Sequence, residues 1–237
     1  MISDTPHLGV RVLAQPDDTV CGPTCLHAVY RFFGLELPLA QVIAEIPPLP
    51  EGGTLAVFLG CHALAQGFRT TIYTNNLQTF DPTWFKPNVD LSAKLRAQMQ
   101  VKSDPKLHIA SAAYLEFLQL GGKIRMRSLS LELLRGLLDR GIPILAGLSA
   151  TYLYDCPREL PDGTLDDIAG TPAGHFAIIR GYDADREHVL IADPLPDNPQ
   201  FEKPYYSVEL GRLLAAVHLG IVTYDANLLV IEPPSLT

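Results

Sequence analysis

The side chain in this sequence that is best placed to act as a nucleophile is Cys21. It follows a polar stretch at 15–20 and precedes Pro23, which suits the first helical turn because its missing N–H would be unpaired there. Apolar residues then recur at helical spacing as far as Gly34, a natural helix end. A helix N-terminus favours an anion, so this position favours a thiolate, the nucleophilic form of cysteine. The simpler interpretation is a small apolar residue at the start of a buried helix.

Gln15, just upstream of Cys21, is the candidate partner of the sulfur. Its side-chain amide could donate a hydrogen bond to the oxyanion that forms when a thiolate attacks a carbonyl carbon. A glutamine taken alone is more often a surface residue. The combination of the two residues, and not either one, indicates acyl-transfer chemistry.

His175 and Asp193 are expected to meet at one end of a sheet. His175 opens a predicted strand at 175–180, Asp193 closes another at 187–193, and the tight connection at 181–185 favours an antiparallel pair. A carboxylate in that position could hold the imidazole in one tautomer and stabilise its charged form, as in a catalytic triad. Gly174 would leave room for a substrate backbone.

Both residues also have simpler interpretations. His175 could be a strand-edge residue whose ring is bonded to a backbone carbonyl, and Asp193 could form a turn before Pro194. Three nearby side chains could replace Asp193 as the partner of the histidine, and we rank them below it: Asp183, Asp185 and Asn198.

These motifs together resemble those of a known family. The papain-like bacteriocin-processing (double-glycine) cysteine peptidases and their stand-alone relatives have the same residues in the same order, here Gln15, Cys21-Gly22-Pro23, Gly174-His175-Phe176 and Ala192-Asp193-Pro194. The matching segments are 8–70 and 128–195. The resemblance implies that Gln15 lines the oxyanion hole, Cys21 attacks, His175 is the base and Asp193 orients His175.

The composition and charge of the chain argue against some classes of binding partner. The chain has 237 residues, 47% of them hydrophobic, which is enough for one sizeable core, and a formal net charge of −8. Nucleic acid and anionic membrane surfaces are therefore not expected partners. The sequence has neither a secretory start nor an apolar run of the ~18–20 residues that a membrane span needs. We expect a cytoplasmic, stand-alone protein that acts on a peptide or amide, and the oligomeric state stays open.

No cofactor or metal is expected. The four cysteines (Cys21, Cys25, Cys61 and Cys156) should stay reduced in the cytoplasm. The Cys21 and Cys25 pair lacks a usual zinc spacing, and Cys61-His62 lies on an apolar stretch that should pack inward. No phosphate-binding or dinucleotide fingerprint occurs.

The order of elements predicts an α+β, papain-like cysteine peptidase fold in one domain, 1–237. Its parts are a helical half with the nucleophile (1–74), a helical insertion (75–122) that could form a wall or lid over the thiol, and an antiparallel sheet half (123–237). Helices are predicted at 21–33, 37–46, 55–65 with Thr54 as N-cap, 92–101, 107–120, 131–140 and 207–216. Strands are predicted at 7–14, 68–74, 123–127, 142–148, 175–180, 187–193 and 221–224 or 227–231, with a long loop at 151–173.

The sequence thus favours a cysteine peptidase or amidase that works through a Cys-His-Asp triad and a thioester. A thiol acyltransferase or transglutaminase-like enzyme would use the same residues with an amine as acceptor. A catalytically inactive relative that binds a peptide in the same cleft is the third interpretation.

Overall fold

A computed structural model of the protein describes residues 7–234; residues 1–6, part of the N-terminus considered above for a signal, and 235–237 lie outside that range. The helices are α1 (Cys21–Phe32), α2 (Leu39–Glu45), α3 (Ala56–Ala65), α4 (Leu91–Val101), α5 (Pro105–Gln119), α6 (Leu131–Leu138), α7 (Ala150–Leu153) and α8 (Leu210–Leu219). The strands are β1 (Arg69–Thr74), β2 (Lys123–Arg125), β3 (Ile144–Ser149), β4 (Gly174–Asp183), β5 (His188–Ala192), β6 (Tyr205–Glu209) and β7 (Asn227–Glu232).

The strands of the described chain form a single sheet in the order β2-β1-β7-β3-β4-β5-β6. All neighbours are antiparallel except β1 and β2, which pair in parallel at one edge. The sheet half predicted at 123–237 is therefore extended by β1, which pairs along its whole length with β7. Every residue of the central strand β3 is buried, as expected for a strand covered on both faces.

Helices cover both faces of the sheet. The first face packs against α1, α3 and α5, and its core includes Leu145, Ile178 and Leu229. The second face packs against α6, α7 and α8, and its core includes Ile144, Ile179 and Val230. Neighbouring residues of one strand thus belong to opposite cores, because successive side chains of a strand point to opposite faces.

Two of the predicted boundaries were wrong. The strand expected at 7–14 is reduced to one bridge, between His7 and Gly181, because β3 begins opposite Ile179 and leaves only a short free edge at the end of β4. The helix expected at 207–216 begins later, since 205–209 adds β6 to the edge of β5. Burial on one side of Tyr206 and Val208 follows the strand period of two.

The segment 75–122 contains α4, α5 and a short 3₁₀ turn at Pro82–Phe85. Aspartates begin all three: the side chains of Asp81, Asp90 and Asp104 accept hydrogen bonds from backbone N–H groups of the first turn. α5 packs on α3 through Phe117, whose ring lies over Gly60 of α3. At its N-terminal end, Asp104 accepts a hydrogen bond of 2.8 Å from the Tyr224 hydroxyl, so this segment is tied to the loop before β7.

Across the described range, none of the helices is both long and apolar enough to span a membrane.

Candidate active site

Cys21 is the first residue of α1 and is 7% exposed. Val20 precedes the helix in a non-helical conformation, and no side chain within the described range caps the first backbone N–H groups. Gly22 packs so tightly that an added Cβ would lie 2.6 Å from Thr54 Cγ2 and 3.2 Å from Phe176 Cδ2. A glycine at this position therefore lets the start of α1 approach β4, the strand that carries His175.

His175 lies near the start of β4, opposite Leu148 of β3, and is 6% exposed. Its Nε2 lies 2.9 Å from Asp193 Oδ1. The Cys21 side chain is within hydrogen-bonding reach of the same imidazole. Since Nε2 faces the carboxylate, Nδ1 is the ring nitrogen left for the sulfur. The structure thus brings together three residues that the sequence places far apart.

The electrostatics of these residues favour a charged histidine. Burial lowers the pKa of His175, but the Asp193 carboxylate and the Cys21 sulfur, through charge and hydrogen bonds, outweigh burial and raise it to about 10. Burial also raises the pKa of Asp193, yet the His175 charge and the hydrogen bonds from His175, Tyr206 and the Leu195 N–H hold it below its ordinary value. The preferred state is an imidazolium held by a carboxylate.

Asp193 is fully buried and accepts four hydrogen bonds. Oδ1 accepts from His175 and, at 2.9 Å, from the Leu195 backbone N–H. Oδ2 accepts from the hydroxyls of Tyr154 at 2.8 Å and Tyr206 at 2.7 Å. A buried carboxylate is costly unless it is fully hydrogen-bonded, and here each oxygen has two donors.

The two tyrosines were not predicted from the sequence. Tyr154 follows α7 at the start of the predicted long loop, and its ring lies 5.8 Å from that of His175. Tyr206 is on β6 and stacks on Phe201 with ring centroids 3.8 Å apart. Burial raises the pKa of both hydroxyls, and the Asp193 charge adds to this, so they stay protonated donors. The alternation of apolar and polar residues at 205–209 is the one sequence signal for this strand, and the predicted helix at 207–216 overlaps it.

Gln15 is half-buried, and its backbone N–H donates a hydrogen bond of 2.9 Å to the Pro194 carbonyl. The loop before α1 is therefore fixed to the residue that follows Asp193. Its side-chain Oε1 is buried and has no hydrogen-bond partner in the described part of the chain. The role in an oxyanion hole that the resemblance gives to Gln15 stays a prediction.

The other sequence candidates have different surroundings. Asp183 lies at the far end of β4 and bonds the Arg186 N–H in the hairpin turn. The Asn198 amide donates to the carbonyls of Leu195 and Lys203, so it holds the loop after Asp193 together.

Cys25 and the Cys61-His62 pair lie in packed parts of the structure. Cys25 is fully buried, its sulfur lies 3.3 Å from the Phe176 carbonyl, and burial raises its pKa well above the ordinary value. The neighbour of Cys61, His62, lies between the Tyr30 hydroxyl at 2.7 Å and Glu45 at 2.9 Å, so its ring links three helices. Among residues 7–234, no group of three or more acidic, histidine or cysteine side chains could hold a metal ion.

The predicted loop at 151–173 approaches this site. Glu159 pairs with Thr171 through two backbone hydrogen bonds of 3.0 and 2.8 Å, which closes the loop into a flap. Burial and the nearby Asp18 carboxylate raise the pKa of Glu159, while the charge of His175 lowers it. The Glu159 carboxylate therefore lies within electrostatic range of both Asp18, in the loop before Cys21, and His175.

This arrangement can perform nucleophilic chemistry. A sulfur at a helix N-terminus, an imidazole in contact with it and a carboxylate on the other ring nitrogen are the parts that a thiol nucleophile needs. The uncapped N–H groups at the start of α1 could stabilise a negatively charged oxygen beside the sulfur.

The sequence matches the Peptidase C39-like family over residues 7–210. No curated protein matches it. Among solved structures, a Bacillus anthracis protein described as a C39-like peptidase aligns with a TM-score of 0.52 and 15% sequence identity, covering 95% of this chain and 97% of its own. At that identity the likeness shows a shared fold.

Two further structures align over most of their length. One is a double-glycine motif protease from an AMS/PCAT transporter, solved with the leader peptide, with a TM-score of 0.45, 12% identity, and 96% of this chain and 94% of that one covered. The other is xylellain, a cysteine protease from Xylella fastidiosa, with a TM-score of 0.43, 16% identity, and 98% and 88% covered. The α+β, papain-like cysteine peptidase fold predicted from the sequence is confirmed.

Proposed function

This chain belongs to the Peptidase C39-like family, and we propose that it is a cysteine peptidase or amidase that hydrolyses a peptide or amide bond. In this proposal Cys21 is the nucleophile, His175 is the acid and base, and Asp193 orients His175. The family and the fold support a cysteine peptidase. The observation that carries the assignment of residues is the continuous chain of contacts from the Cys21 sulfur through the His175 ring to the buried Asp193 carboxylate.

In the first half of the proposed reaction the Cys21 thiolate attacks the carbonyl carbon of the scissile bond. A C–S bond forms, and the carbonyl oxygen takes the negative charge. The tetrahedral intermediate then loses the amine as the C–N bond breaks, and the His175 imidazolium gives its Nδ1 proton to the leaving nitrogen. A thioester between the acyl part of the substrate and Cys21 remains.

We assign the stabilisation of the oxyanion to the Cys21 backbone N–H and the Gln15 side-chain amide. The start of α1 is not capped by a described side chain, and Gln15 is held beside the site by its bond to Pro194. Donors that are fixed before the reaction stabilise developing charge without reorganising, which is why such groups account for large rate effects.

In the second half, neutral His175 removes a proton from water, and the resulting hydroxide adds to the thioester. The C–S bond then breaks, which releases a carboxylic acid product and restores the thiolate and the imidazolium. Asp193 keeps the Nε2–H bond in both halves, so the ring presents Nδ1 to the sulfur throughout. The hydroxyls of Tyr154 and Tyr206 keep Asp193 ionised and in place.

The test is to trap the acyl-enzyme. The protein is incubated with a library of peptides, or with cell extract, quenched in acid, and the Cys21-containing fragment is analysed by mass spectrometry. An acyl adduct on Cys21 that disappears when water is given time to react supports the proposal. A Cys21→Ser variant is the control for adducts elsewhere, and an added amine measures how much of the acyl group escapes hydrolysis.

Two outcomes of this experiment would contradict the proposed function. An adduct that forms equally well in a His175→Ala variant would remove the histidine from the reaction. Complete absence of adducts, with Cys21 no more reactive than an ordinary exposed thiol, would support the inactive, peptide-binding interpretation.

A further inference from the structure

A buried carboxyl group lies next to this site and has no part in the mechanism above. Asp225 precedes β7 and is 4% exposed. Its side chain extends over Gly147 of β3, where an added Cβ would lie 3.1 Å from Asp225 Oδ1, and reaches Gly174 of β4, where an added Cβ would lie 3.4 Å from Oδ2. Both strands have glycine where the carboxyl passes, so any larger side chain would displace it.

The backbone on both sides of Asp225 holds this position. Tyr224 and Ala226 both have left-handed backbone conformations, with φ of 69° and 51°. Non-glycine residues seldom adopt that conformation, and it costs free energy that the surrounding structure must offset. The Asn76 amide, which donates 2.9 Å to the Tyr224 carbonyl, and the Asn75 N–H, which donates 3.1 Å to the Ala226 carbonyl, fix the two residues in place.

The carboxyl is incompletely hydrogen-bonded. Oδ2 accepts a long bond of 3.4 Å from the Thr223 hydroxyl, and Oδ1 is buried with no partner in the described range 7–234. Six other buried side-chain oxygens lack partners in that range, among them Asn227 Oδ1, on the first residue of β7, and Thr54 Oγ1. A buried acceptor left unpaired costs about 1–3 kcal/mol, so the unpaired Oδ1 of Asp225 indicates a place for a ligand with hydrogen-bond donors.

These oxygens lie beside the reacting residues. Gly174, which contacts Thr223 and Asp225, directly precedes His175. Thr54 packs against Gly22, which directly follows Cys21. A substrate side chain that reaches Asp225 would therefore belong to a residue close to the bond that Cys21 attacks.

The lysine of this chain that acts on Asp225 through its charge is engaged elsewhere. Lys106 of α5 acts on Asp225 through its charge, but its Nζ forms an ion pair of 2.8 Å with Glu51. The same Nζ lies 5.4 Å from the centroid of the Tyr224 ring. Lys106 is thereby held by Glu51 and beside the Tyr224 ring, and Oδ1 of Asp225 remains without a donor in the described residues.

We propose that Asp225 is the specificity-determining residue of a subsite beside Cys21 and His175, and that this subsite takes the lysine or arginine side chain of a peptide substrate. A cationic donor would pair the free Oδ1 in a charge-assisted bond, which is stronger than a neutral one. Glu159 and Asp18, whose charges act on one another near His175, attract the same charge. This inference rests on the proposed function for the position of the substrate.

The experiment compares matched peptides that differ at one position near the cleaved bond, with lysine, arginine, norleucine, glutamine or glutamate there. Hydrolysis is measured with the wild-type protein and binding with Cys21→Ser. We expect a preference of at least about 10-fold in kcat/KM for lysine or arginine over norleucine at one position, equivalent to about 1.4 kcal/mol. Asp225→Asn should reduce that ratio to within about 2-fold.

Asp104→Asn is the matched control, since it removes one carboxylate from the rim of the same region, where Asp104 bonds Tyr224. This control should keep most of the preference. Hydrolysis of all the peptides at equal rates, or a preference unchanged in Asp225→Asn, would overturn the subsite and leave the proposed function intact. Selective binding of the cationic peptides to Cys21→Ser, with no turnover by the wild-type protein, would support the subsite and contradict the peptidase.

Discussion

The Cys21 side chain, at the first position of α1, is within hydrogen-bonding reach of the His175 imidazole, at the start of β4. One residue belongs to a helix that covers the sheet, and the other belongs to the sheet itself. Each is more than nine-tenths buried, so the contact is shielded from bulk water. Charge interactions are stronger in such a buried environment than in water.

Iodoacetamide should alkylate Cys21 much faster than the half-buried Cys156 of the same chain, and His175→Ala should remove the advantage. The imidazolium stabilises the thiolate, the only form that reacts quickly. Because the pKa of His175 is raised to about 10, the advantage should persist from neutral pH and be lost as the pH rises through about 10. Peptide mapping after timed alkylation measures the rates at Cys21 and Cys156. Equal alkylation of the two cysteines at pH 7 would contradict the thiolate–imidazolium pair.

Asp193→Asn should lower kcat/KM by about 10²–10⁴ with little change in fold, since the amide can no longer fix the histidine tautomer or balance its charge. Tyr206→Phe removes one of the four bonds to the carboxylate and should cost only about 10-fold. Steady-state kinetics with a cleaved peptide measures both. A larger loss in Tyr206→Phe than in Asp193→Asn would show that the hydroxyl, and not the carboxylate, acts on His175.

Gln15→Ala should lower kcat by about 10²–10³ and leave KM within about 3-fold, because an oxyanion donor acts mainly in the transition state. Gln78→Ala, an exposed glutamine in the segment 75–122, is the control for a change of this type. The melting temperature of both variants should stay close to that of the parent. A rise in KM at constant kcat would assign Gln15 to substrate binding instead.

Asp225 should make the protein less stable as the pH rises. Burial raises its pKa to about 8, from an ordinary value of 3.8, while the charge of Lys106 and the Thr223 hydroxyl act in the opposite direction. Between these two values the folded protein holds a proton that the unfolded chain releases, so the free energy of unfolding falls with rising pH until about 8.

Asp225→Asn cannot ionise and should escape that loss. Its melting temperature relative to the parent should therefore rise by at least about 3 °C between pH 5 and pH 8.5. Calorimetry at several pH values measures the difference, and Asp104→Asn, an exposed carboxylate nearby, is the control. A difference that stays constant over this range would mean that the Asp225 carboxyl titrates like an exposed one.

Local chemistry in the sequence was enough to predict the helix that begins at Cys21 and the pairing of the strands that carry His175 and Asp193. Pro23, the apolar spacing and Gly34 define the helix within a few residues, and the short connection between β4 and β5 leaves one way to pair them. The motif residues from Gln15 to Asp193 gave the family. Apart from the order of these motifs along the chain, each of the signals lies within one element or one hairpin.

The contacts that complete the site come from elements far apart in the chain, and only the tertiary structure decided them. Tyr154 reaches Asp193 from the residue after α7 and Tyr206 from β6, and neither follows a pattern that marks a hydrogen-bond donor. Asp225 reaches Gly174 across Gly147 because β7 returns from the end of the chain to lie beside β3. Residue types and local spacing fix what a side chain can do, whereas the order of strands in the sheet fixes which side chains it meets.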